Sequence, residues 1–302
     1  RWDSGQILMR EIIKNNIHKH VNYSLEYSFI NAIKETIKSL EINDSLLLSN
    51  LLTIPGLAEL EPLFEKVDPI NIYKESLNFQ ALIGNKIHQE LRVLSENILV
   101  NINQQWPMGR GERKLIGTIW SYLALAGDEG IKKDCIEAIV GSSMTMARSA
   151  LRALKPLDSP ETEEASNLFY DLWKENPVVL DSWFAYEASR PHKQGINVIE
   201  KLLAHSKFDW KAPNAIRAVI GGFSKNIESF HSIDGQGYLF MAEKIIEVDK
   251  INPITASRMV KIFSKWKTYI DKNKEGMYES LLKLNKSNIS SNTREVVELI
   301  LN

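Results

Sequence analysis

Apolar residues recur along this chain at three- and four-residue steps, and this helical periodicity restricts the fold more than any other feature. One such set forms a single helix face: Leu25, Phe29, Ile30, Ile33, Ile37 and Leu40. A second set predicts another helix face: Ile254, Phe263, Trp266 and Ile270. Strand-like alternation of β-branched and polar residues is nearly absent. The sequence therefore predicts an all-α protein, with well above the roughly one third of helix that globular proteins average.

Prolines mark the predicted helix starts. Four of them follow a good N-cap residue: Asp68-Pro69, Ser159-Pro160, Asn176-Pro177 and Asn252-Pro253. Pro177, Pro213 and Pro253 lie at intervals of roughly 40 residues, the length of a helix pair in HEAT and armadillo solenoids. We therefore expect residues 1–302 to form one domain, an armadillo- or HEAT-like superhelix of antiparallel helix pairs. Residues 69–102 are expected to form one long helix, and residues 103–114 to interrupt the array.

Charge and composition exclude several partners. The 37 basic and 38 acidic residues give a net charge of −1, which argues against binding to nucleic acid or to an anionic membrane surface. No apolar run reaches the roughly 18 residues of a membrane helix. The single cysteine, Cys135, allows no internal disulfide, and a buried thiol is expected. The chain begins "RWDSGQ", without a Met or a signal peptide, so we expect a piece of a longer protein.

Catalytic motifs are absent from the sequence. None of the six histidines is followed by Glu, so the HExxH zinc helix is missing, and there is no Gly-x-Ser-x-Gly or Walker loop. The segment "MGRGER" has the glycines and arginines of an anion cradle, but a solvated turn between helices is the favoured interpretation. The sequence thus predicts no catalytic residues, no metal ligands and no cofactor in this chain.

The double glycine in "SFHSIDGQGYLFM", residues 229–241, raises the question of a ligand loop. Asp234 is the only acid there, so the alternating ligands of a calcium loop are lacking. The residues after the glycines are Tyr238 and Leu239, not the Lys or Ser/Thr of a phosphate loop. We therefore predict a bend that needs glycine backbone freedom, with Asp234 or Gly235 near the cap of a new helix.

Two arginines are the candidate binding residues. Arg217 and Arg258 each lie about one turn inside a helix predicted to start at a proline, Pro213 or Pro253. A cation there opposes the helix dipole, and neither "PNAIRAVI" nor "PITASRMV" contains an acid. Such a site suits a carboxylate or a peptide carbonyl. The structural alternative is an ion pair with an acid on a neighbouring helix.

Several motifs resemble one known family. In order, "RWDSGQ", "MTMARSAL", "VVLDSWFAYEAS", "FDWKAPNAIRAVIGGF", "FHSIDGQGYLFMAEKIIEVDKINPITASRMV" and "KWKTY" are similar to the C-terminal helical domain of bacterial aminopeptidase N, the alanyl aminopeptidases of the gluzincin zinc metallopeptidases. The resemblance covers essentially the whole chain. It is strongest from about Val178 onward, and its most specific block is residues 214–258.

This resemblance implies the lid domain of a longer aminopeptidase. In that family the C-terminal helices form a bowl or cone over the active site, while the zinc lies in an earlier domain that is absent here. Arg217 and Arg258 match the family's two cavity arginines, and Ile254 matches a position that lines the pocket for the first side chain. Relatives carry Gln or Met at that position, so no side-chain preference is carried over. The resemblance also implies a peptide substrate, packing on the catalytic domain, a monomeric parent and a cytoplasmic location.

A second function class stays open at this point. An independent helical-repeat scaffold would bind a protein partner on its concave face. The reading frame upstream of residue 1 distinguishes the two classes, because an aminopeptidase requires an HExxH motif there followed by a distant Glu.

Overall fold

The computed structural model describes residues 2–39, 44–102, 108–141, 143–191 and 195–302. Helix accounts for 78% of the described residues, and no strand occurs among them beyond one isolated bridge. The prediction of an all-α protein is therefore confirmed. Contacts divide the chain into two compact units, one formed by Arg1–Leu63 and Asn71–Leu172, the other by Phe64–Ile70 and Trp173–Asn302. That residues 1–302 act as one domain stays a prediction.

Ten α-helices among the described residues lie in the first unit, except that the first two residues of α5 and the last residue of α10 belong to the second. Their bounds are α1 (Trp2–Ile17), α2 (Tyr23–Ser39), α3 (Ser45–Leu51), α4 (Leu57–Leu60), α5 (Pro69–Lys86), α6 (His88–Asn101), α7 (Arg110–Leu125), α8 (Glu129–Gly141), α9 (Met144–Leu154) and α10 (Pro160–Trp173). Helix α7 is central, because it packs against α3, α6, α8 and α9. Its Gly117 permits a close approach to α9, since a Cβ there would lie 2.6 Å from Cβ of Ser149.

The second unit contains eight α-helices in the described part of the chain. These are α11 (Pro177–Ser189), α12 (Gly195–Leu203), α13 (Pro213–Ile216), α14 (Ile227–Phe230), α15 (Gln236–Asp249), α16 (Pro253–Val260), α17 (Asp271–Lys286) and α18 (Ser291–Leu301). The segment 64–70 joins this unit through Val67, whose N–H donates to the Thr268 carbonyl at 2.8 Å and whose carbonyl accepts from the Ile270 N–H at 3.0 Å.

The proline-marked starts are confirmed at the four predicted positions, since α5, α10, α11 and α16 each begin at the proline. The two asparagine caps among them have the expected hydrogen bonds. The Asn176 side chain accepts from the N–H groups of Val178 and Val179, and the Asn252 side chain accepts from the Thr255 N–H at 3.0 Å. A capped helix with proline at its first position needs no long-range contact to begin there, which explains why sequence located these starts.

Three sequence expectations about helix extent are wrong. The predicted interruption extends too far, because residues 110–114 already belong to α7. Residues 69–102 form two helices, α5 and α6, that break at the fully buried Ile87. The second predicted apolar face is not one helix either, because α16 ends at Val260 and short 3₁₀ turns follow at Lys261–Phe263 and Trp266–Thr268. Ile254 is 58% exposed and does not share the buried environment of Phe263.

Some expectations fall on residues outside those described. Leu40, His192 and the first part of the predicted interruption, residues 103–107, belong to this group. Cys135 is buried as expected, and burial raises the pKa of its thiol. Within the described residues, no helix is both long enough and apolar enough to span a membrane.

Candidate functional site

The three predicted binding residues all lie in the second unit, on two helical segments that begin at prolines. Ile254 and Arg258 are both exposed and stand one helical turn apart on α16, so they share a face of that helix. Arg217 lies on the other segment, residues 213–223. Neither helix start carries an acid in its first turn, as the sequence indicated.

Arg217 begins an uncommon local structure. The α-helical turn α13 continues directly into a π-helical turn, Arg217–Gly221. Single π turns of this kind are rare and occur frequently at functional sites. The residues on both sides, Ile216 and Ala218, are buried, whereas Arg217 is exposed. The segment is therefore fixed by its apolar neighbours and presents one guanidinium to the solvent.

Close packing on α11 holds this segment in place. A Cβ on Gly222 would lie 3.0 Å from Cβ of Ala188 and 3.5 Å from the carbonyl oxygen of Ala185, so the helices approach as closely as glycine allows. One turn further along, the side chain of Asn226 donates to the carbonyl of Arg190. Both contacts fix the position of the helix that carries Arg217.

The charge of each arginine is unpaired within the described part of the chain. Arg217 donates from Nη2 to the amide oxygen Oδ1 of Asn214, a neutral acceptor three residues earlier. The side chain of Arg258 makes no hydrogen bond and no ion pair with any described residue. Among the described residues, neither arginine forms the alternative, an ion pair with an acid on a neighbouring helix. Two exposed guanidinium groups are left available for an anion or a carbonyl.

The end of α15, three residues before the cap of α16, is attached to α18 through a buried carboxylate. Asp249, 5% exposed, accepts hydrogen bonds from the Ser290 N–H at 2.6 Å, from the Ser290 hydroxyl at 2.7 Å and from the Thr293 hydroxyl. Together with the Asn252 cap, these bonds fix the first turn of the helix that presents Ile254 and Arg258. The sequence analysis did not identify this cluster, because its partners lie some 40 residues apart.

An aromatic core joins the two segments. Phe223, at the end of the segment with Arg217, packs edge to face on Phe230 and Phe240, with ring centroids 5.8 and 5.5 Å apart. Phe230 contacts Tyr238 at 5.1 Å, and Tyr238 contacts Phe263, just after α16, at 6.5 Å. These rings are all buried. The two segments that carry the arginines therefore share one packed core.

The double-glycine stretch is a structural bend, as predicted. Gly235 is the N-cap of α15 and has a φ of 71°, a left-handed conformation that favours glycine. Asp234 Oδ1 accepts from the Gln236 N–H at 3.0 Å. A Cβ on Gly237 would lie 2.4 Å from two backbone carbonyl oxygens of the preceding turn, so only glycine fits. The bend lies between the two arginine-bearing segments in the chain.

A buried polar cluster underlies this bend. His231 is 4% exposed, and its Nδ1 lies 2.7 Å from the hydroxyl of Tyr238. The Asn273 side-chain NH₂ donates both to this hydroxyl and to the His231 carbonyl, each at 2.8 Å. Burial lowers the pKa of His231 to about 3, so the ring is neutral. Sequence reasoning found the histidine without its partners, since nothing local to His231 identifies Asn273.

The described residues contain no cluster of three or more His, Cys, Asp or Glu side chains that could hold a metal ion. His88 is instead bonded to Asp128 at 2.8 Å, in a network with Arg92. The described residues therefore do not fit a zinc site.

Stacked helices in both units, without a described strand or metal cluster, define an all-α helical-repeat protein. The chain belongs to the family described as "Domain of unknown function (DUF3458_C) ARM repeats", whose model matches residues 1–302. The armadillo-like class predicted from proline spacing is thereby confirmed.

Curated relatives carry the name aminopeptidase N. The chain is 29% identical over 295 residues to the protein from Escherichia coli (strain K12), covering 94% of this chain and 33% of the relative. It is 26% identical over 306 residues to the protein from Haemophilus influenzae, covering 99% of this chain and 35% of the relative. The resemblance to the C-terminal helical domain of aminopeptidase N is confirmed. The chain spans about a third of the length of these relatives.

A solved structure has the same fold. The chain aligns over its whole length with 36% of the chain in "Crystal structure of Legionella pneumophila aminopeptidase A in complex with aspartic acid", with a TM-score of 0.86 and 24% identity. This similarity concerns the fold.

Proposed function

We propose that this chain is the lid domain of a longer zinc aminopeptidase, which encloses the active site and lines the substrate cavity without being catalytic itself. The zinc and the catalytic groups belong to another part of the protein. The names of the curated relatives and the one-third coverage support this proposal.

The arginines bind the peptide beyond its first residue. The observation that carries this assignment is that both guanidinium groups are exposed and have no carboxylate partner among the described residues. Arg217 and Arg258 would contact the carboxylate or the carbonyls of the peptide, and Ile254 would line the pocket for its first side chain. A charge-assisted hydrogen bond of this kind contributes about 1.5–3 kcal/mol, or roughly one to two powers of ten in binding.

Packing on the rest of the enzyme is part of the proposal. Large apolar side chains are exposed on both units, such as Tyr23 (76%) and Tyr27 (69%) on the first and Val178 (77%) on the second. Exposed apolar surface is typical of sites that another protein surface covers. The cytoplasmic location and the monomeric parent are proposed from the resemblance alone.

Substrate choice tests the role of the arginines in the full enzyme. An amino-acyl anilide has no second residue and no carboxylate, whereas a tripeptide has both. Because the arginines lie away from the bond that is cleaved, they bind ground and transition states alike. Arg217→Ala and Arg258→Ala should therefore raise KM for a tripeptide by about 10- to 100-fold, with kcat nearly unchanged and anilide cleavage nearly intact.

Arg148→Ala is the matched control. Arg148 is also exposed in its helix, α9, and lies between the buried residues Ala147 and Ser149. Its loss should leave both substrates unaffected. Equal losses on tripeptide and anilide in the Arg217 and Arg258 variants would instead mean that these residues stabilise the fold. Unchanged KM for the tripeptide would refute the substrate role.

A further inference from the structure

The two arginines differ in how their side chains are held. Arg217 Nη2 donates to Asn214 Oδ1, from one turn earlier on the same helical segment. Arg258 has no such partner among the described residues. A long, exposed arginine otherwise samples many rotamers, and binding a ligand then costs the entropy of fixing one of them. The Asn214 contact favours one orientation of the Arg217 guanidinium before a ligand arrives.

The chemical type of the partner is informative. Residue 214 is the second residue of α13, next to Pro213, where an acid would interact favourably with the helix dipole. An Asp at this position would also form an ion pair with Arg217 and offset its charge. The residue is Asn, whose amide oxygen accepts the same hydrogen bond and carries no charge. The guanidinium is thereby oriented and keeps its full positive charge.

The backbone supports the same geometry. The π turn starts at Arg217 itself, and the buried residues Ile216 and Ala218 fix the helix on both sides of it. Gly222 packs directly on α11 one turn later. The Cα–Cβ direction of Arg217 is thus set by the core, and Asn214 sets the direction of its far end.

We propose that Asn214 is a positioning residue, which orients the Arg217 guanidinium for the carboxylate or carbonyl of a bound peptide while leaving its charge available. This role rests on the proposed binding function of Arg217. The positioning role predicts that residue 214 must be a neutral acceptor. Removing the acceptor and converting it to an acid should both weaken peptide binding. Only the acid should discriminate between a tripeptide with a free carboxylate and its amide.

The test is a double-mutant cycle in the full enzyme, with Asn214→Ala, Arg217→Ala and the double variant. The readout is KM for a tripeptide relative to KM for an amino-acyl anilide. Asn214→Ala should raise this ratio about 3- to 10-fold, the effect of one net hydrogen bond, with kcat unchanged. In the Arg217→Ala background the same substitution should add nothing, because its effect passes through the guanidinium.

Asn214→Asp supplies the second arm. It keeps the acceptor and adds a charge, so it should weaken binding of a tripeptide with a free carboxylate more than binding of the same tripeptide amide. Asn292→Ala is the control, because Asn292 is likewise the exposed second residue of a helix, α18. It should change neither KM nor the melting temperature.

The outcomes separate this role from the proposed function. A strong effect of Arg217→Ala with no effect of Asn214→Ala would overturn the positioning role and leave the substrate role of Arg217 intact. An equal effect of Asn214→Ala with and without Arg217 would overturn it as well. No effect of Arg217→Ala on the tripeptide would refute the proposed function, and the positioning role with it.

Discussion

Acidification should destabilise the second unit through His231. This histidine is buried, and the Asn273 side chain donates to the Tyr238 hydroxyl, so that hydroxyl is free to donate to Nδ1. The Asn273 orientation follows from its second bond, since the same NH₂ group also donates to the His231 carbonyl, which can only accept. Burial lowers the pKa of His231 from 6.5 to about 3 in the folded chain.

The sign and size of the effect follow from proton linkage. Between its unfolded and folded pKa values, His231 is protonated in the unfolded chain and neutral in the folded chain. Its contribution to stability is therefore complete above its unfolded pKa of 6.5 and is lost as pH falls from there toward its folded pKa of about 3. The slope is about 1.4 kcal/mol per pH unit, so lowering the pH from 7 to 5 removes about 2 kcal/mol of unfolding free energy through this one group.

Urea unfolding of the 302-residue chain at pH 7 and pH 5, followed by circular dichroism, measures this loss. His231→Gln keeps a polar side chain that does not titrate, so the variant should lose about 2 kcal/mol less than the wild type over the same interval. His20→Gln removes an exposed histidine and should behave as the wild type does. If His231→Gln and the wild type lose the same free energy, the buried neutral histidine is not what makes the fold sensitive to acid.

Three further predictions concern the bend, the cap and the chemistry. Gly237→Ala should destabilise the chain by about 1–3 kcal/mol or more, because its Cβ would clash with backbone; Gly5→Ala, which meets no atom within 4 Å, should be neutral or stabilising by thermal melting. Asn252→Ala removes the cap of α16 and should cost about 1 kcal/mol in the same assay, and an unchanged melting temperature would contradict the cap's contribution. The purified 302-residue chain should not hydrolyse amino-acyl anilides, with or without added zinc; turnover that survives removal of contaminants would contradict the lid assignment.

Local signals made much of the fold predictable. Asn176 and Asn252 cap helices that start at the next residue, and each signal lies within a few residues of its effect. The break at Ile87 was missed because neither proline nor glycine occupies that position. Nearby, a Cβ on Gly84 would lie 2.4 Å from the carbonyl oxygen of Tyr122, so the end of α5 packs directly on the backbone of α7. Contacts between distant segments of this kind leave no periodic pattern in the sequence.

Local sequence signals also made part of the candidate site predictable. The acid-free helix starts singled out Arg217 and Arg258, and the resemblance gave them a role. The π turn at Arg217 and the Asn214 contact depend on how the helix packs, and periodicity does not report either. The Asp249 cluster depends on partners from a distant helix. The acid-free helix starts were readable from the sequence, but how the arginines are held was not.

Photo-crosslinking in the full enzyme tests the central claim most directly. The probe is a tripeptide with a photoreactive side chain at its third residue and an uncleavable first peptide bond. The account predicts labelling within residues 213–223 and 253–260, which an unmodified tripeptide suppresses and which Arg217→Ala and Arg258→Ala reduce. Specific labelling confined to the rest of the enzyme, with none in these two segments, would contradict the claim that this chain lines the substrate cavity.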